Sequence, residues 1–199
     1  MTEQTVSKFD LMKLTSIVPC TSEDFSDLRA LHKMSINATG WHFYSLKEVA
    51  AQLIEIDQPE YTIALLSENV LLAKLDDLLV GAASWRPSNG HPQTAIIAAL
   101  YLHPAFTNGG IATALIQKCE QASYDGGFRW ISALSDLNSR PFFAKLGYES
   151  KGYRNSKRNK SVQYPLQVMT RHISTQYRKT KKSKATNAKA LTPTPGINE

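Results

Sequence analysis

The sequence predicts an α/β fold, α+β in its detail, with a mixed central β-sheet and helices on both faces. Three observations predict it. Apolar periodicity sets the element order β-α-α-β-β-β-α-β-α-β-β, an order that calls for a mixed sheet covered by helices. A chain of 199 residues with 42% hydrophobic side chains suits one well-buried domain and is short for two. A glycine pair, Gly109-Gly110, separates an apolar strand from an amphipathic helix, as a tight strand-to-helix turn requires.

Lys13 to Val18 reads as the first strand. Thr21-Ser22-Glu23-Asp24 has capping-box spacing, and Phe25, Leu28, Leu31 and Met34 recur at helical intervals behind it. After a loop from Asn37 to Phe43, Ser45-Leu46-Lys47-Glu48 opens a second helix with Val49, Leu53 and Ile54 on one face. Val70 to Leu75 and Leu78 to Trp85 flank Asp76-Asp77 as a hairpin. Thr94 to Leu102 is the central apolar strand, closed by Pro104. Gly110 to Tyr124 reads as a helix with Ile111, Leu115, Cys119 and Ala122 on one face, stopped by Gly126-Gly127. Trp130 to Leu134 is a strand, Arg140 to Lys145 a short helix, Gly147-Tyr148 the start of a further strand, and Val162 to Thr170 the last.

The net charge of +6 suggests nucleic acid until it is located. From Arg171 onward seven basic side chains are opposed by Glu199 alone. The rest of the chain balances to zero, so the basicity describes a tail and not the fold. Residues 1–12 read as a flexible N-terminus, 13–172 as the domain, and 173–199 as a basic tail too poor in apolar side chains to offset the entropy of ordering. No apolar run approaches the roughly 20 residues that span a bilayer, and Met1 to Asp10 lacks a signal-peptide core, so a cytoplasmic location is expected. Cys20 and Cys119 are two isolated thiols, read as reduced packing residues with neither a disulfide framework nor a metal site.

The turn Thr107-Asn108-Gly109-Gly110-Ile111-Ala112 carries the chemistry. Its glycines let a ligand approach the backbone. The helix behind it presents unpaired N–H groups and the positive end of its dipole. Such a turn favours an anion, most naturally a phosphate. No Gly-Lys-Ser/Thr comes after it, so it is not a Walker loop, and the spacing of a dinucleotide-binding fingerprint is absent. Most strand-glycine-helix turns bind nothing, and the loop alone leaves both readings open.

Its context narrows them. Leu100-Tyr101-Leu102-His103-Pro104, a six-residue turn, then Ile111-Ala112 and Leu115 resembles the central motif of the GNAT superfamily of N-acetyltransferases. Arg140-Pro141-Phe142-Phe143-Ala144-Lys145-Leu146-Gly147-Tyr148 resembles that superfamily's second motif, and the element order is that of the GNAT fold. Tyr44-Ser45, the Pro-Phe-Phe run and the Val162 to Met169 strand resemble a bacterial group whose acceptors are mostly unassigned.

The resemblance implies acetyl-CoA as acetyl donor and an amine of a small molecule or protein as acceptor, joined by direct attack. It implies that Leu100, Tyr101 and Leu102 bond pantetheine or the thioester through their backbone, with an N–H near Leu102 polarising the acetyl carbonyl. Thr107, Asn108, Gly109, Gly110, Ile111, Ala112 and Thr113 would surround the pyrophosphate, Asn138 would bond the pantetheine arm, and Phe142 and Phe143 would wall the thiol end. Three positions depart from the pattern. Thr107 replaces a usual Gln or Arg, Ala98 stands where some members carry an acid, and Phe143 replaces the tyrosine that often serves as general acid.

Catalytic side chains are therefore unassigned from the sequence; Tyr101, His42 and His91 are the candidates. The aromatic loop Trp41-His42-Phe43-Tyr44 would line the acceptor pocket or pack in the core. Lys151, Arg154, Lys157, Arg158 and Lys160 form a second basic cluster near the acceptor cleft, facing an acidic acceptor, the coenzyme's 3′-phosphate or only water. An alternative reading is a non-catalytic acyl-CoA-binding regulatory module, motivated by the three departures. A nucleic-acid-associated protein is a third, resting on the tail alone, which has no aromatic platform. A homodimer is among the assemblies the sequence allows.

Overall fold

The computed structural model describes residues 13–156 and 162–173. The lysine-rich tail and Lys157, Arg158 and Lys160 lie outside them. Seven strands form one sheet: β1 (Thr15–Pro19), β2 (Asn69–Leu75), β3 (Leu78–Pro87), β4 (Thr94–Leu102), β5 (Trp130–Ser135), β6 (Glu149–Asn155) and β7 (Pro165–His172). Their order across the sheet is β1-β2-β3-β4-β5-β7-β6. The β4–β5 pair is parallel and every other pair antiparallel, so the mixed sheet expected from the element order is what the chain forms.

Three helices, α1 (Phe25–Thr39), α2 (Leu46–Asp57) and α3 (Pro59–Ser67), connect β1 to β2; α4 (Ile111–Asp125) connects β4 to β5, and α5 (Arg140–Lys145) connects β5 to β6. The sequence reading has two helices in the first connection, and the structure adds α3. Gln58 is extended, with ψ 150°, because the proline after it disfavours helical backbone, and Pro59 then opens a new helix from its first position. Thr21 and Asp24 do form reciprocal capping bonds, but around a single 3-10 turn, Ser22–Asp24, that precedes α1. Ser45 and Glu48 cap α2 as expected: the Ser45 N–H donates to Glu48 Oε2 at 2.8 Å and the Glu48 N–H to Ser45 Oγ at 3.4 Å.

The two layers bury two cores. On one face α4 and α5 set Ile111, Leu115, Ile116, Cys119 and Phe143 against Val80, Ala95, Ile97 and Ile131. On the other, α1 to α3 set Leu28, Leu31, Val49 and Ile56 against Leu72, Leu79 and Ala82. Each such Leu or Ile contributes about 1.5–3 kcal/mol on burial. Because β3 is covered on both faces, its sequence is a continuous apolar run, Leu79 to Ala83, with no polar alternation. Among the described residues, the fully buried charged group is a glutamate. Glu120 of α4, 0% exposed, accepts from the Tyr148 hydroxyl at 2.8 Å and from Arg171 of β7 at 3.2 Å, which ties the helix to the far side of the sheet. Among the described residues no helix is long and apolar enough to cross a membrane.

Candidate active site

β4 and β5 run together only from Thr94 to Ile97, paired with Trp130 to Ala133. Beyond Ile97 they part. Ala99 to Leu102 keep their antiparallel partners on β3 only, while Leu134 and Ser135 pair with β7. The parting coincides with a bulge. Ser84 opposes Ala99 and Trp85 opposes Ile97, so Ala98 is the extra residue on β4, and such an insertion bends its strand and re-aims the residues beyond it. One edge of β4 therefore presents backbone N–H and C=O groups to an open slot rather than to a neighbouring strand.

The far end of the slot meets the start of α4. His103 accepts from the Ala105 N–H at 3.2 Å and packs edge-on against Phe106, which fixes the 3-10 turn Pro104–Phe106. Asn108 and Gly110 then take φ of +62° and +89°, and this left-handed pair swings the chain into the helix. The first helical bond runs from the Ala114 N–H to the Gly110 carbonyl at 3.0 Å. The N–H groups of Ile111, Ala112 and Thr113 come before it, and no side chain caps them. Gly81 lets this end sit close: a Cβ there would stand 3.0 Å from Leu102 Cδ2 and 3.1 Å from Ile111 Cγ2.

Between the slot and α1–α3 lies a cavity of about 290 Å³. β4 supplies Ala98 to Tyr101, the end of β5 supplies Ser135, and the β5–α5 connection supplies Asp136 and Ser139. The opposite wall is His32, Gln52, Glu55, Tyr61 and Tyr164. The Tyr44 hydroxyl ties the β5–α5 connection to the start of β7, accepting from the Leu137 N–H at 3.2 Å and lying 3.1 Å from the Pro165 carbonyl. Burial and the Asp136 carboxylate hold that phenol protonated well above the ordinary tyrosine range. Gln52 is 7% exposed, and its Nε2 is buried with no hydrogen-bond partner among the described residues. Tyr164 donates to Glu55 Oε2 at 3.3 Å. Glu68 is held by the Ser84 hydroxyl at 2.5 Å and by Arg86 at 3.8 Å.

The expected site residues are distributed over the cavity, the turn before α4 and the β5–α5 region. Leu100, Tyr101 and Phe143 line the cavity; Leu102 ends β4 beside the start of α4. Thr107 to Thr113 form the turn and first helical residues, but the Thr107 hydroxyl donates to the Pro104 carbonyl at 3.1 Å. Asn138 directs its amide to Thr39 Oγ1 at 3.1 Å, back toward the end of α1. Phe142 packs half-buried against Phe143, with ring centroids 5.2 Å apart.

Of the catalytic candidates, Tyr101 is in the cavity wall. His42 sits exposed in the Gly40–His42 turn, and His91 stands in a separate hollow with Gln93 and Trp130. Neither reaches the cavity. Trp41 and Phe43, 49% and 50% exposed, neither line the pocket nor pack in the core; of that loop Tyr44 alone is buried. The basic cluster contributes Arg154 to the cavity rim, while Lys151 pairs with Glu149 at 2.9 Å.

Sequence reasoning did not single out His32, Gln52, Glu55, Tyr61 or Tyr164. For His32 a signal existed: it lies on the i, i+4 row of α1 between Leu28 and Ile36, a polar ring on an apolar stripe.

The Acetyltransferase (GNAT) family matches residues 31–148, more than half of the chain and all of the β4–α4 region. The chain belongs to the GNAT acetyltransferase family. It is an acetyltransferase, and acetyl-CoA is the family's acetyl donor. Solved GNAT structures share its fold. A GCN5-related N-acetyltransferase of Rhodopseudomonas palustris superposes with a TM-score of 0.71 at 25% identity, over 79% of this chain and 94% of that one. The PaiA N-acetyltransferase of Thermoplasma acidophilum, solved in complex with coenzyme A, superposes at 0.55 with 20% identity, over 79% and 98%. YncA of Salmonella typhimurium, solved with its cofactor acetyl-CoA, does so at 0.55 with 17% identity, over 80% and 94%. No curated protein matches the chain.

Proposed function

We propose that this GNAT enzyme transfers acetyl directly from acetyl-CoA to an amine that enters the cavity from the α1–α3 side. The observation that carries the reading is the parting of β4 from β5 beyond Ile97. It leaves a slot with the uncapped start of α4 at one end and the walled cavity at the other. The donor's chemistry fits these residues. An extended pantetheine arm has the amide spacing to bond the free edge of Ala98 to Leu102. The bare N–H groups of Ile111, Ala112 and Thr113, with the helix dipole behind them, suit a pyrophosphate. An N–H at the end of β4 would polarise the thioester carbonyl. Acetyl-CoA so held leaves its carbonyl facing the cavity.

Two further observations support direct attack over an acyl-cysteine route. Burial, together with the Asp24 carboxylate, pushes the Cys20 thiol up to about 11, and burial beside Glu120 pushes Cys119 up to about 12. Both thiols stay protonated at neutral pH and are poor nucleophiles. Phe143, 2% exposed in the cavity wall, has no proton to give, but a coenzyme A thiolate is a good leaving group, and positioning with polarisation carries much of such a barrier. The unpartnered Gln52 Nε2 supports an acceptor that carries an oxygen near its amine.

Thiol release from acetyl-CoA across a panel of amines tests the reading. Release that depends on one class of amine is the expected result. Tight coenzyme A binding with no release for any amine would overturn it and make the chain a non-catalytic acyl-CoA-binding module.

A further inference from the structure

His32 brings an imidazole into the cavity beside the free segment of β4. Its residue is 8% exposed. The ring lies flat on Tyr101, with centroids 3.5 Å apart and planes inclined by 21°. Its Nδ1 is 3.1 Å from the Tyr61 hydroxyl. A stacking partner on β4 and a hydrogen-bonding partner on α3 hold the imidazole in one orientation, the arrangement by which a third group orients a base. Arg29, one turn earlier on α1, keeps Tyr61 in place: its guanidinium stands 4.9 Å from the centre of that ring while bonding to the Ile56 carbonyl and the Thr62 hydroxyl.

We propose that His32 accepts the proton of the acceptor's ammonium group, with Tyr61 as the positioning residue that holds its ring. The proposal rests on the transfer reading above. In the tautomer whose Nδ1–H donates to the Tyr61 oxygen, Nε2 is the basic nitrogen of the ring. The neutral amine nitrogen then attacks the thioester carbonyl carbon. A carbon–nitrogen bond forms and the carbon–sulfur bond breaks, leaving its electron pair on sulfur. The surplus proton of the nitrogen ends on that sulfur as free thiol, and the imidazolium returns its own to water.

The other titratable and charged groups that line the cavity with His32 are Tyr101 from β4, Tyr61 from α3, Glu55 from α2 with Tyr164 on it, the Glu68–Arg86 pair beside β3, Asp136 after β5, which accepts from Tyr44, and Arg154 of β6. Each has a different task or range. Glu68 is committed to Arg86 and Ser84, Glu55 accepts from Tyr164, and the phenols ordinarily hold their protons at neutral pH. An imidazole is the group among them whose ordinary range brackets neutral pH, where a proton acceptor is most effective.

The test uses the full chain, acetyl-CoA and the amine that gives thiol release. His32→Gln is expected to lower kcat/KM by about 10²–10⁴-fold and to erase the acidic limb of its pH profile, while coenzyme A affinity stays at the wild-type value. Tyr61→Phe is expected to retain coenzyme A binding and move that limb, because it removes only the hydroxyl that holds the ring. His32→Gln that binds coenzyme A, stays within about tenfold of wild type and keeps the acidic limb would overturn the proposal. Where His32→Gln fails to bind coenzyme A, the wild-type protein decides: NMR titration of the His32 ring must coincide with the acidic limb, and a mismatch overturns the proposal. Active wild type with an unaffected variant sinks the role of His32 alone. Inactivity of wild type toward every amine sinks the transfer reading with it.

Discussion

Alanine at Gly81 places one methyl group where α4 meets the sheet. Its Cβ would stand 3.0 Å from Leu102 Cδ2 and 3.1 Å from both Ile111 Cγ2 and Leu115 Cδ1, against an optimum of roughly 3.5–4.0 Å between carbons. Ile111 and Leu115 are 1% and 0% exposed, so neither can swing into solvent. Relief must come from lifting the start of α4 off β3 by roughly half an ångström. Overpacking of this kind costs about 1–3 kcal/mol. At roughly 2–4 °C per kcal/mol for a domain of this size, the melting temperature should fall by about 2–12 °C. The same shift moves the N–H groups of Ile111 to Thr113, so coenzyme A affinity should weaken by up to about tenfold, or 1.4 kcal/mol. Scanning calorimetry and titration calorimetry with coenzyme A measure both effects. Gly90→Ala is the control, since a Cβ there meets nothing within 4 Å. In Gly81→Ala/Leu115→Ala the clash loses one partner, and the double variant should cost less than the two single ones together, by about 0.5–3 kcal/mol. A wild-type melting temperature and affinity for Gly81→Ala, or strict additivity in the double variant, would refute the account.

Gly110→Ala puts a side chain at φ +89°, a strain of about 1–2 kcal/mol, and should weaken coenzyme A binding by about 5–30-fold, read by the same titration. Ser45→Ala removes half of the α2 cap and should destabilise by about 1 kcal/mol in urea unfolding. Bonding to the Ser45 hydroxyl and N–H holds the Glu48 carboxyl below its ordinary value. The stabilisation is therefore present above the unfolded carboxylate pKa and lost as pH falls through the lower folded one. The gap between wild type and Ser45→Ala should narrow as pH falls through the carboxylate range, leaving the part due to the Glu48 N–H bond to Ser45 Oγ, and a gap undiminished at about pH 3 would contradict the carboxylate's share in the cap. Cys20→Ser should retain wild-type kcat, and native protein at pH 8 should label slowly with a thiol reagent, because both thiols ionise only near 11 to 12. Loss of turnover in Cys20→Ser, in protein that still melts as wild type, would reopen the acyl-cysteine route.

How much of the fold is legible in the sequence depends on how local each signal is. Thr94–Leu102 and Arg140–Lys145 are observed with the bounds read from the sequence, since Pro104 and the Pro-Phe-Phe run punctuate them sharply. α3 was not legible. It buries Tyr61 and Leu65 but exposes Ile63 and Leu66, at 63% and 70%, so its apolar residues make no stripe to detect. The slot and turn occupy one contiguous stretch, Ala98 to Thr113, and could be seen as a motif. The cavity wall opposite draws on α1, α2, α3 and the approach to β7: Glu55 and Tyr164 meet across 109 residues. No window of sequence contains such a pair. His42 and His91 were conspicuous as loop histidines, yet the ring that reaches the cavity is the one placed among leucines on α1.

On the function proposed above, the same division lets donor binding tolerate Thr107, Ala98 and Phe143. The slot and the helix start are built from backbone: a free strand edge, a left-handed pair at Asn108 and Gly110, and N–H groups ahead of the first helical bond. Losing a side chain there removes one contact and leaves the frame, which depends on packing at Gly81 and on the bulge at Ala98. The opposite wall is built from side chains, and each is a separate choice of chemistry. Changes at Gly81 or Gly110 should therefore register in coenzyme A affinity whatever the amine, whereas Gln52→Leu, which removes a buried donor with no partner among the described residues, should leave that affinity unchanged and alter KM for the amine. A parallel fall in both affinities for Gln52→Leu would mean that the two halves are not independent, and that the cavity wall supports the slot as well as the acceptor.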